Sequence, residues 1–151
     1  MESYDKAKAA RVWQRVQGEA AANPMQGLPG LIAEEWADSA TYLALSQKIQ
    51  GKAGAVLKKM AQEEQAHMAC LKGILKLQAA GPVEIPPPPP LDKASAGTLL
   101  RRCYGREMRC LAQYESRSTD PEYGQIFARM AQQEREHCRQ ILELLGSIHQ
   151  I

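Results

Sequence analysis

Two segments of the chain carry a glutamate and a histidine separated by one helical turn. The first is Glu64-x-x-His67 and the second is Glu134-x-x-His137, and each follows a Met-Ala-Gln sequence. Residues three apart on a helix lie on the same face, so each segment presents a carboxylate and an imidazole together, and both groups bind divalent metals. One such pair is common on helix surfaces. Two pairs in a chain of 151 residues indicate a metal site in the centre of a helix bundle.

The two halves of the chain also share a glutamate that is followed by a tyrosine two helical turns later. Glu35 precedes Tyr42, and Glu107 precedes Tyr114. Each half is therefore predicted to be a helix with Glu-x6-Tyr followed by a helix with Glu-x-x-His, and the halves are predicted to be related by a pseudo-two-fold axis. We expect each tyrosine to hydrogen-bond a carboxylate of the other half and to hold that carboxylate in place.

The repeat also predicts which glutamates point away from the site. Alignment of the halves places Glu34 opposite Arg106 and Glu63 opposite Gln133. Neither position is acidic in both halves, so we expect Glu34 and Glu63 to face solvent. The glutamate that follows each of them is the inward one.

The charge of the predicted site calls for metal ions. Four carboxylates converging in a bundle core would repel one another and would be costly to remove from water. Two divalent cations would neutralise them, with Glu64 and Glu134 bridging the ions about 3.5–4 Å apart. Carboxylates and imidazoles suit iron, with manganese or zinc as alternatives. The predicted ligands are Glu35, Glu64, His67, Glu107, Glu134 and His137.

Composition and periodicity predict an all-α protein of one domain. Aromatic residues make up only 5% of the chain, and residues that favour helices are abundant. We predict a short N-terminal helix over residues 4–16 and a loop up to residue 30, acting as a brace on the bundle or as a dimer contact. Four helices of a bundle are predicted within residues 31–151, at residues 31–49, 53–79 and 94–118 and from Asp120-Pro121 to Leu145.

A proline-rich segment separates the two halves. Residues 86–90 are five consecutive prolines, which favour an extended chain of about 3.1 Å per residue. The linker, about residues 81–93, could therefore span the length of a 20-residue helix, which is about 30 Å. We interpret it as a long crossover between the helix pairs. A flexible interdomain linker and a proline-rich ligand motif are the alternative interpretations.

Several classes of protein are disfavoured by the sequence. The net charge is +2 and no dense run of Lys or Arg occurs, so nucleic-acid binding is not expected. No stretch has the roughly 20 apolar residues of a membrane span, and the charged N-terminus lacks the apolar core of a signal peptide. We expect a cytoplasmic protein. The cysteines form no Cys-x-x-Cys pair, which disfavours a zinc ribbon or a rubredoxin site; they are Cys70, Cys103, Cys110 and Cys138.

These motifs resemble the ferritin-like superfamily, and rubrerythrins most closely, over residues 31–145. The resemblance implies a left-handed four-helix bundle with a di-iron site held by the six ligands named above. Proteins of this family reduce hydrogen peroxide or oxidise ferrous iron with dioxygen. The resemblance also implies a homodimer.

The chain departs from rubrerythrins in two respects. It lacks their rubredoxin-like domain, so electrons would come from a separate donor protein. Rubrerythrins also carry an extra glutamate three residues after the one that corresponds to Glu107, and this glutamate exchanges with a histidine when the iron changes redox state. That position is Cys110 here, and its counterpart in the first half is Asp38, which could add a seventh carboxylate. The redox exchange of rubrerythrins is therefore not expected in the same form.

Several functions agree with this pattern. The leading interpretation is a di-iron oxidoreductase that reduces peroxide. An iron-oxidising and iron-storing protein would require a hollow multi-subunit cage, and a di-iron oxygenase would require an apolar pocket beside the metals. A bundle that binds manganese or zinc without catalysis is the remaining alternative, and metal analysis would distinguish it from the others.

Overall fold

A computed structural model describes residues 24–78 and 84–148 of the chain. In chain order its helices are α1 (Pro24–Lys48), α2 (Gly51–Gln78), α3 (Ala96–Ser116) and α4 (Gly124–Ser147). No strand occurs within these two ranges, so the prediction of an all-α protein is confirmed. None of these helices is long and apolar enough to cross a membrane. The helix predicted over residues 4–16 lies outside the described residues.

Helix α1 begins seven residues earlier than the sequence pattern predicted. The Pro and Gly residues between positions 23 and 30 indicated a loop, but the helix starts at Pro24 and contains Pro29. Proline is favoured at the first helical position because its missing N–H would have no helical acceptor there. Pro29 removes one helical hydrogen bond, while the adjacent Leu28 is fully buried in the core. Burial of Leu28 therefore outweighs the local preference for a loop.

The helices pack as two pairs that face each other. Helix α1 lies along α2, and α3 lies along α4; α1 also contacts α3, and α2 contacts α4. The turn between α1 and α2 is tight: Gly51 has a φ of 77°, and a Cβ at Gly54 would come 2.0 Å from the carbonyl oxygen of Ile49. Glycine is required at both positions, the first for its left-handed backbone and the second for the close approach.

Two apolar clusters lie on either side of the buried acidic residues. The first contains Leu28, Ile32, Leu71 and Phe127, and the second contains Leu45, Leu57, Leu100 and Ile141. Along each helix the site residues fall between the two clusters, so the bundle core is apolar at both ends and polar in the middle.

The proline linker follows the outside of the bundle. Residues 84–95 contain no helix or strand. Part of the linker, Pro88–Asp92, lines a cleft together with Ala37 and Thr41 of α1 and Arg106 of α3. Helix α3 then starts at Ala96, where the side chain of Ser95 accepts a hydrogen bond from the N–H of Thr98 at 3.2 Å.

The start of α4 also differs from the prediction. Asp120 and Pro121 were expected to be the N-cap and the first helical residue, but the helix begins at Gly124. The Asp120 carboxylate does accept hydrogen bonds from the N–H groups of Glu122 and Tyr123, at 3.0 and 2.6 Å. It therefore caps a turn that precedes the helix. A Cβ at Gly124 would lie 2.4 Å from the carbonyl oxygen of Ser118, so the chain packs closely on itself here.

Candidate metal centre

The predicted ligands come together in the middle of the bundle. All four glutamates and His137 are 0% exposed, and His67 is 3% exposed. They form two groups, each with ligand atoms within 4.8 Å of one another, and both groups contain Glu64 and Glu134. One group adds Glu35 and His67, and the other adds Glu107 and His137. The arrangement has the two-fold character that the sequence repeat predicted, with two glutamates shared in the centre.

Each histidine turns the same ring nitrogen toward the carboxylates. Nδ1 of His67 lies 2.8 Å from Glu35 Oε2 and 3.2 Å from the nearest oxygens of Glu64 and Glu134. In the other half, Nδ1 of His137 lies 3.2–3.4 Å from three carboxylate oxygens, one each from Glu107, Glu64 and Glu134.

These distances are those expected of ligands around a shared cation. Neighbouring ligand atoms of an octahedral ion with bonds of about 2.1 Å lie about 3 Å apart. Nδ1 of each histidine and the surrounding carboxylate oxygens have this spacing. Two positions can be built in this way, one per histidine, with the shared glutamates between them.

The hydrogen bonding of the site leaves many lone pairs without a donor. Both carboxylate oxygens of Glu64 and of Glu134 are buried and unpartnered, and so are one oxygen of Glu35, one of Glu107 and Nδ1 of His137. Buried polar atoms almost always find a partner, because leaving one unpaired costs about 1–3 kcal/mol. Lone pairs that converge without donors are satisfied by cations. The residues present could therefore hold metal ions.

The pKa shifts of the site have the same origin. Burial, followed by repulsion from the other carboxylates, raises the pKa of Glu64 and Glu134 well above the ordinary value. Although burial lowers the pKa of His137, the nearby carboxylates of Glu107 and Glu134 outweigh it and raise the value to about 11. The pKa of Glu107 is lowered because its interaction with His137 outweighs its burial. Without metal, protons must supply the positive charge of the site.

Each of the two tyrosines donates to a carboxylate of the other half, as the repeat led us to expect. Tyr42 Oη lies 2.6 Å from Glu107 Oε2, and Tyr114 Oη lies 2.7 Å from Glu35 Oε2. Burial, followed by the charge of these glutamates, raises the pKa of both tyrosines well above 10.0. Both therefore remain neutral hydrogen-bond donors that fix the orientation of the terminal carboxylates.

Asp38 and Cys110 have different environments, although they occupy matching positions in the repeat. Asp38 is fully buried, and its Oδ1 accepts a hydrogen bond from Nε of Arg106 at 2.6 Å. Asp38 also lies within ligand distance of Glu35, Glu64 and Glu107. Burial raises the pKa of Asp38 well above its ordinary value, and the guanidinium of Arg106 opposes that rise. Whether or not Asp38 is protonated, it adds no net negative charge once Arg106 is counted, so the metals need to balance only the four glutamates. Cys110 is buried in the first apolar cluster, and burial keeps it a neutral thiol by raising its pKa.

The imidazoles are contacted by two residues that the sequence pattern did not indicate as functional. Glu63 was expected to face solvent and is partly exposed, but its Oε1 lies 2.8 Å from Nε2 of His137, and Gln133 Oε1 lies 2.5 Å from Nε2 of His67. The expectation missed these contacts because only a matching acid was taken as a sign of function. A matching hydrogen-bond acceptor, which Glu and Gln share, was the informative signal.

Comparisons of the chain with protein-family models, with curated proteins and with solved structures found no match. What this protein does must therefore be inferred from its own residues.

Loss of one tyrosine hydroxyl should have a measurable effect on the metal-free protein. In Tyr114→Phe, the buried carboxylate of Glu35 loses the hydrogen bond that the tyrosine hydroxyl donates to it. Because this hydrogen bond has a charged acceptor, we expect the free energy of unfolding to fall by about 1.5–3 kcal/mol. Urea unfolding monitored by circular dichroism would measure it. Tyr104→Phe, a half-buried tyrosine on the same helix, is the control. Equal stability of the two variants would contradict a positioning role for Tyr114.

Arg106 should be required because it neutralises Asp38. In Arg106→Met the Asp38 carboxylate is buried without a partner, and we expect a loss of about 3–5 kcal/mol of stability. The double variant Asp38→Asn/Arg106→Met should recover most of that loss. The control is Arg109→Met, which breaks the more exposed pair with Glu34 and should cost about 1 kcal/mol or less. Equal losses for Arg106→Met and Arg109→Met in urea unfolding would refute this role.

Proposed function

We propose that this protein is a non-haem dinuclear metal protein of ferritin-like architecture, with two iron ions, that reduces hydrogen peroxide. The observation that carries the proposal is the pair of four-residue groups that share Glu64 and Glu134. Two shared carboxylates with four unpartnered oxygens are suited to bridging two cations. A single structural ion would leave one histidine and one terminal glutamate unused.

The order of the apolar clusters along the helices supports a ferritin-like topology. Along α1 and α4 the first cluster precedes the site residues and the second follows them, and along α2 and α3 this order is reversed. Helices α2 and α3 then run in the same direction, which requires a connection as long as the bundle. Ile85 packs against the first cluster and Ala94 against the second, in agreement with a crossover by the proline linker.

The ligand types favour iron or manganese over zinc. Four carboxylates and two imidazoles form a hard to borderline donor set, and no thiolate takes part in the groups found among the described residues. Such donors suit iron and manganese, whereas zinc sites use fewer ligands and often sulfur. Iron is also the metal that a ferritin-like peroxidase requires.

The protein residues would orient, shield and charge-balance the centre. When bound, the two ions would supply the two electrons that convert one hydrogen peroxide and two protons to two waters. Tyr42 and Tyr114 hold the terminal carboxylates, while the apolar clusters on either side exclude bulk water. An electron-donor protein would restore the reduced state, since Cys70, Cys103, Cys110 and Cys138 form no Cys-x-x-Cys pair that could hold an electron-transfer iron.

Rates of oxidation by two oxidants would test this function. Protein loaded anaerobically with two equivalents of ferrous iron would be mixed with hydrogen peroxide or with air-saturated buffer, and its near-UV absorbance would be followed. Faster oxidation by peroxide than by dioxygen is the expected result. Faster oxidation by dioxygen would overturn the peroxidase proposal in favour of iron oxidation or oxygenase chemistry. Assembly into a hollow shell, measured by light scattering, would favour iron storage.

A further inference from the structure

The two histidines are held by chemically different partners. Glu63 on α2 reaches Nε2 of His137 on α4, and Gln133 on α4 reaches Nε2 of His67 on α2. Glu63 and Gln133 precede the two shared glutamates and correspond in the sequence repeat. The same position in each half therefore contacts the imidazole of the other half, once with a carboxylate and once with a neutral amide.

These contacts fix which ring nitrogen faces the metal. An Oε1 atom is an acceptor in both cases, so Nε2 carries the hydrogen and donates it. When a metal ion replaces the proton on Nδ1, the lone pair of Nδ1 is free to bind the metal while Nε2–H keeps its acceptor. Both partners perform this orienting role. Only Glu63 adds a negative charge, and its side chain is 27% exposed while the imidazole it contacts is 0% exposed.

A charged acceptor changes the imidazole more than a neutral one does. Hydrogen bonds to an ionised acceptor are roughly twice as strong as neutral ones. Donation from Nε2–H to a carboxylate makes the other ring nitrogen a more basic ligand, and partners of this kind typically change metal affinity 10- to 100-fold. The other ligands of the two positions correspond, with one terminal glutamate and one tyrosine donor each and two shared glutamates. A further carboxylate, Asp38, lies near Glu35, Glu64 and Glu107 and is paired with Arg106.

We propose that Glu63 makes the two metal positions unequal, so that the position of Glu107 and His137 binds a divalent cation more tightly and fills first. This inference rests on the proposed dinuclear centre, and it assigns Glu63 as a positioning residue that acts through His137. A centre that fills in order holds one ion stably while the second, at Glu35 and His67, exchanges more readily.

Cobalt titration of the metal-free protein would test the inference without any assay of activity. We expect two binding steps for the wild-type protein, measured by calorimetry and by visible absorbance. In Glu63→Gln the first step should weaken by about 10- to 100-fold, so that the two steps merge. The exchanged variant Glu63→Gln/Gln133→Glu keeps the composition of the chain and should restore two steps. The control Glu34→Gln removes a charge beside Glu35 that pairs with Arg109 and should leave both steps unchanged.

Proton NMR of the cobalt protein would show which position fills first. The Nε2–H proton of a histidine bound to paramagnetic cobalt is strongly shifted, and Glu63→Gln should move only the signal of His137. In the wild-type protein that signal should appear at the first equivalent of cobalt; in the exchanged variant the other signal should appear first. Two cobalt sites of equal affinity in the wild-type protein would overturn the inference, and so would binding affinities that Glu63→Gln does not change. Either result would leave the proposed dinuclear centre intact. A wild-type protein that binds no cobalt would overturn the proposed centre itself.

Discussion

Replacing Glu64 by alanine is expected to abolish metal binding at both positions of the centre. Glu64 belongs to both ligand groups, so its loss removes a ligand from each ion and leaves the two cations with less negative charge between them. The loss of affinity should exceed the 10- to 100-fold effect of residues that only orient a ligand. Glu134→Ala should behave in the same way. Metal analysis after reconstitution with ferrous iron and gel filtration would measure the bound ions per chain.

The fold of these variants should survive the substitution. Both Glu64 oxygens are buried without a hydrogen-bond donor, and burial and repulsion from the other carboxylates raise the Glu64 pKa. Alanine therefore removes an unfavourable buried charge, which offsets the lost contacts with Nδ1 of His67 and His137 and the lost packing. We expect helical circular dichroism close to that of the wild-type protein. The control is Glu136→Ala on α4, which removes an exposed glutamate that pairs with Arg139. This control variant should still bind two ions per chain. A Glu64→Ala protein that is folded and still binds two ions would contradict the bridging role.

Stability should depend on pH in opposite ways with and without metal. In the metal-free protein the pKa of Glu64 and Glu134 is raised above the ordinary value of 4.5, so the folded state binds protons that the unfolded state releases. The contribution of these two groups to stability is then greatest below pH 4.5 and is lost as pH rises, by about 1.4 kcal/mol per unit of pKa shift and per group. His137 acts in the same direction from pH 6.5 toward about 11, whereas the lowered pKa of Glu107 opposes them.

Bound cations should reverse this trend. Metal ions replace the protons of the site, so their affinity increases with pH, and each ion present at about 1,000 times its Kd adds about 4 kcal/mol. Two ions should therefore raise the unfolding temperature at neutral pH by about 15 °C or more. Calorimetry between pH 5 and 8, with ferrous iron under anaerobic conditions or with a chelator, would measure both trends. An unfolding temperature that is the same with metal and with chelator at every pH would contradict the account.

The sequence repeat identified the buried glutamates because each position could be compared with its counterpart in the other half. Each of Glu35, Glu64, Glu107 and Glu134 has a matching acid in the other half, and a duplicated helix pair places matching residues around one axis. The same comparison failed for Glu63, whose counterpart is Gln133. Both side chains accept a hydrogen bond from an imidazole of the other half, and such a contact depends on how the helix pairs face each other. Periodicity along one helix does not contain that information.

The helix boundaries show a second limit of sequence reasoning. Pro29 and the neighbouring glycines favour a loop locally, yet α1 extends back to Pro24. The reason lies in the tertiary structure, where Leu28 is fully buried and a Cβ at Gly27 would lie 2.4 Å from the guanidinium of Arg117. Asp38 is similar, since its charge is balanced by Arg106 from α3. In both cases the deciding partner is distant in sequence.

Anomalous X-ray scattering from crystals grown with ferrous iron under anaerobic conditions would test the dinuclear centre most directly. We predict two iron peaks per chain, about 3.5–4 Å apart, with Glu64 and Glu134 between them. One of the peaks should lie beside Nδ1 of His67 and the other beside Nδ1 of His137. A single peak, or no metal among these residues in crystals that contain iron, would contradict this prediction.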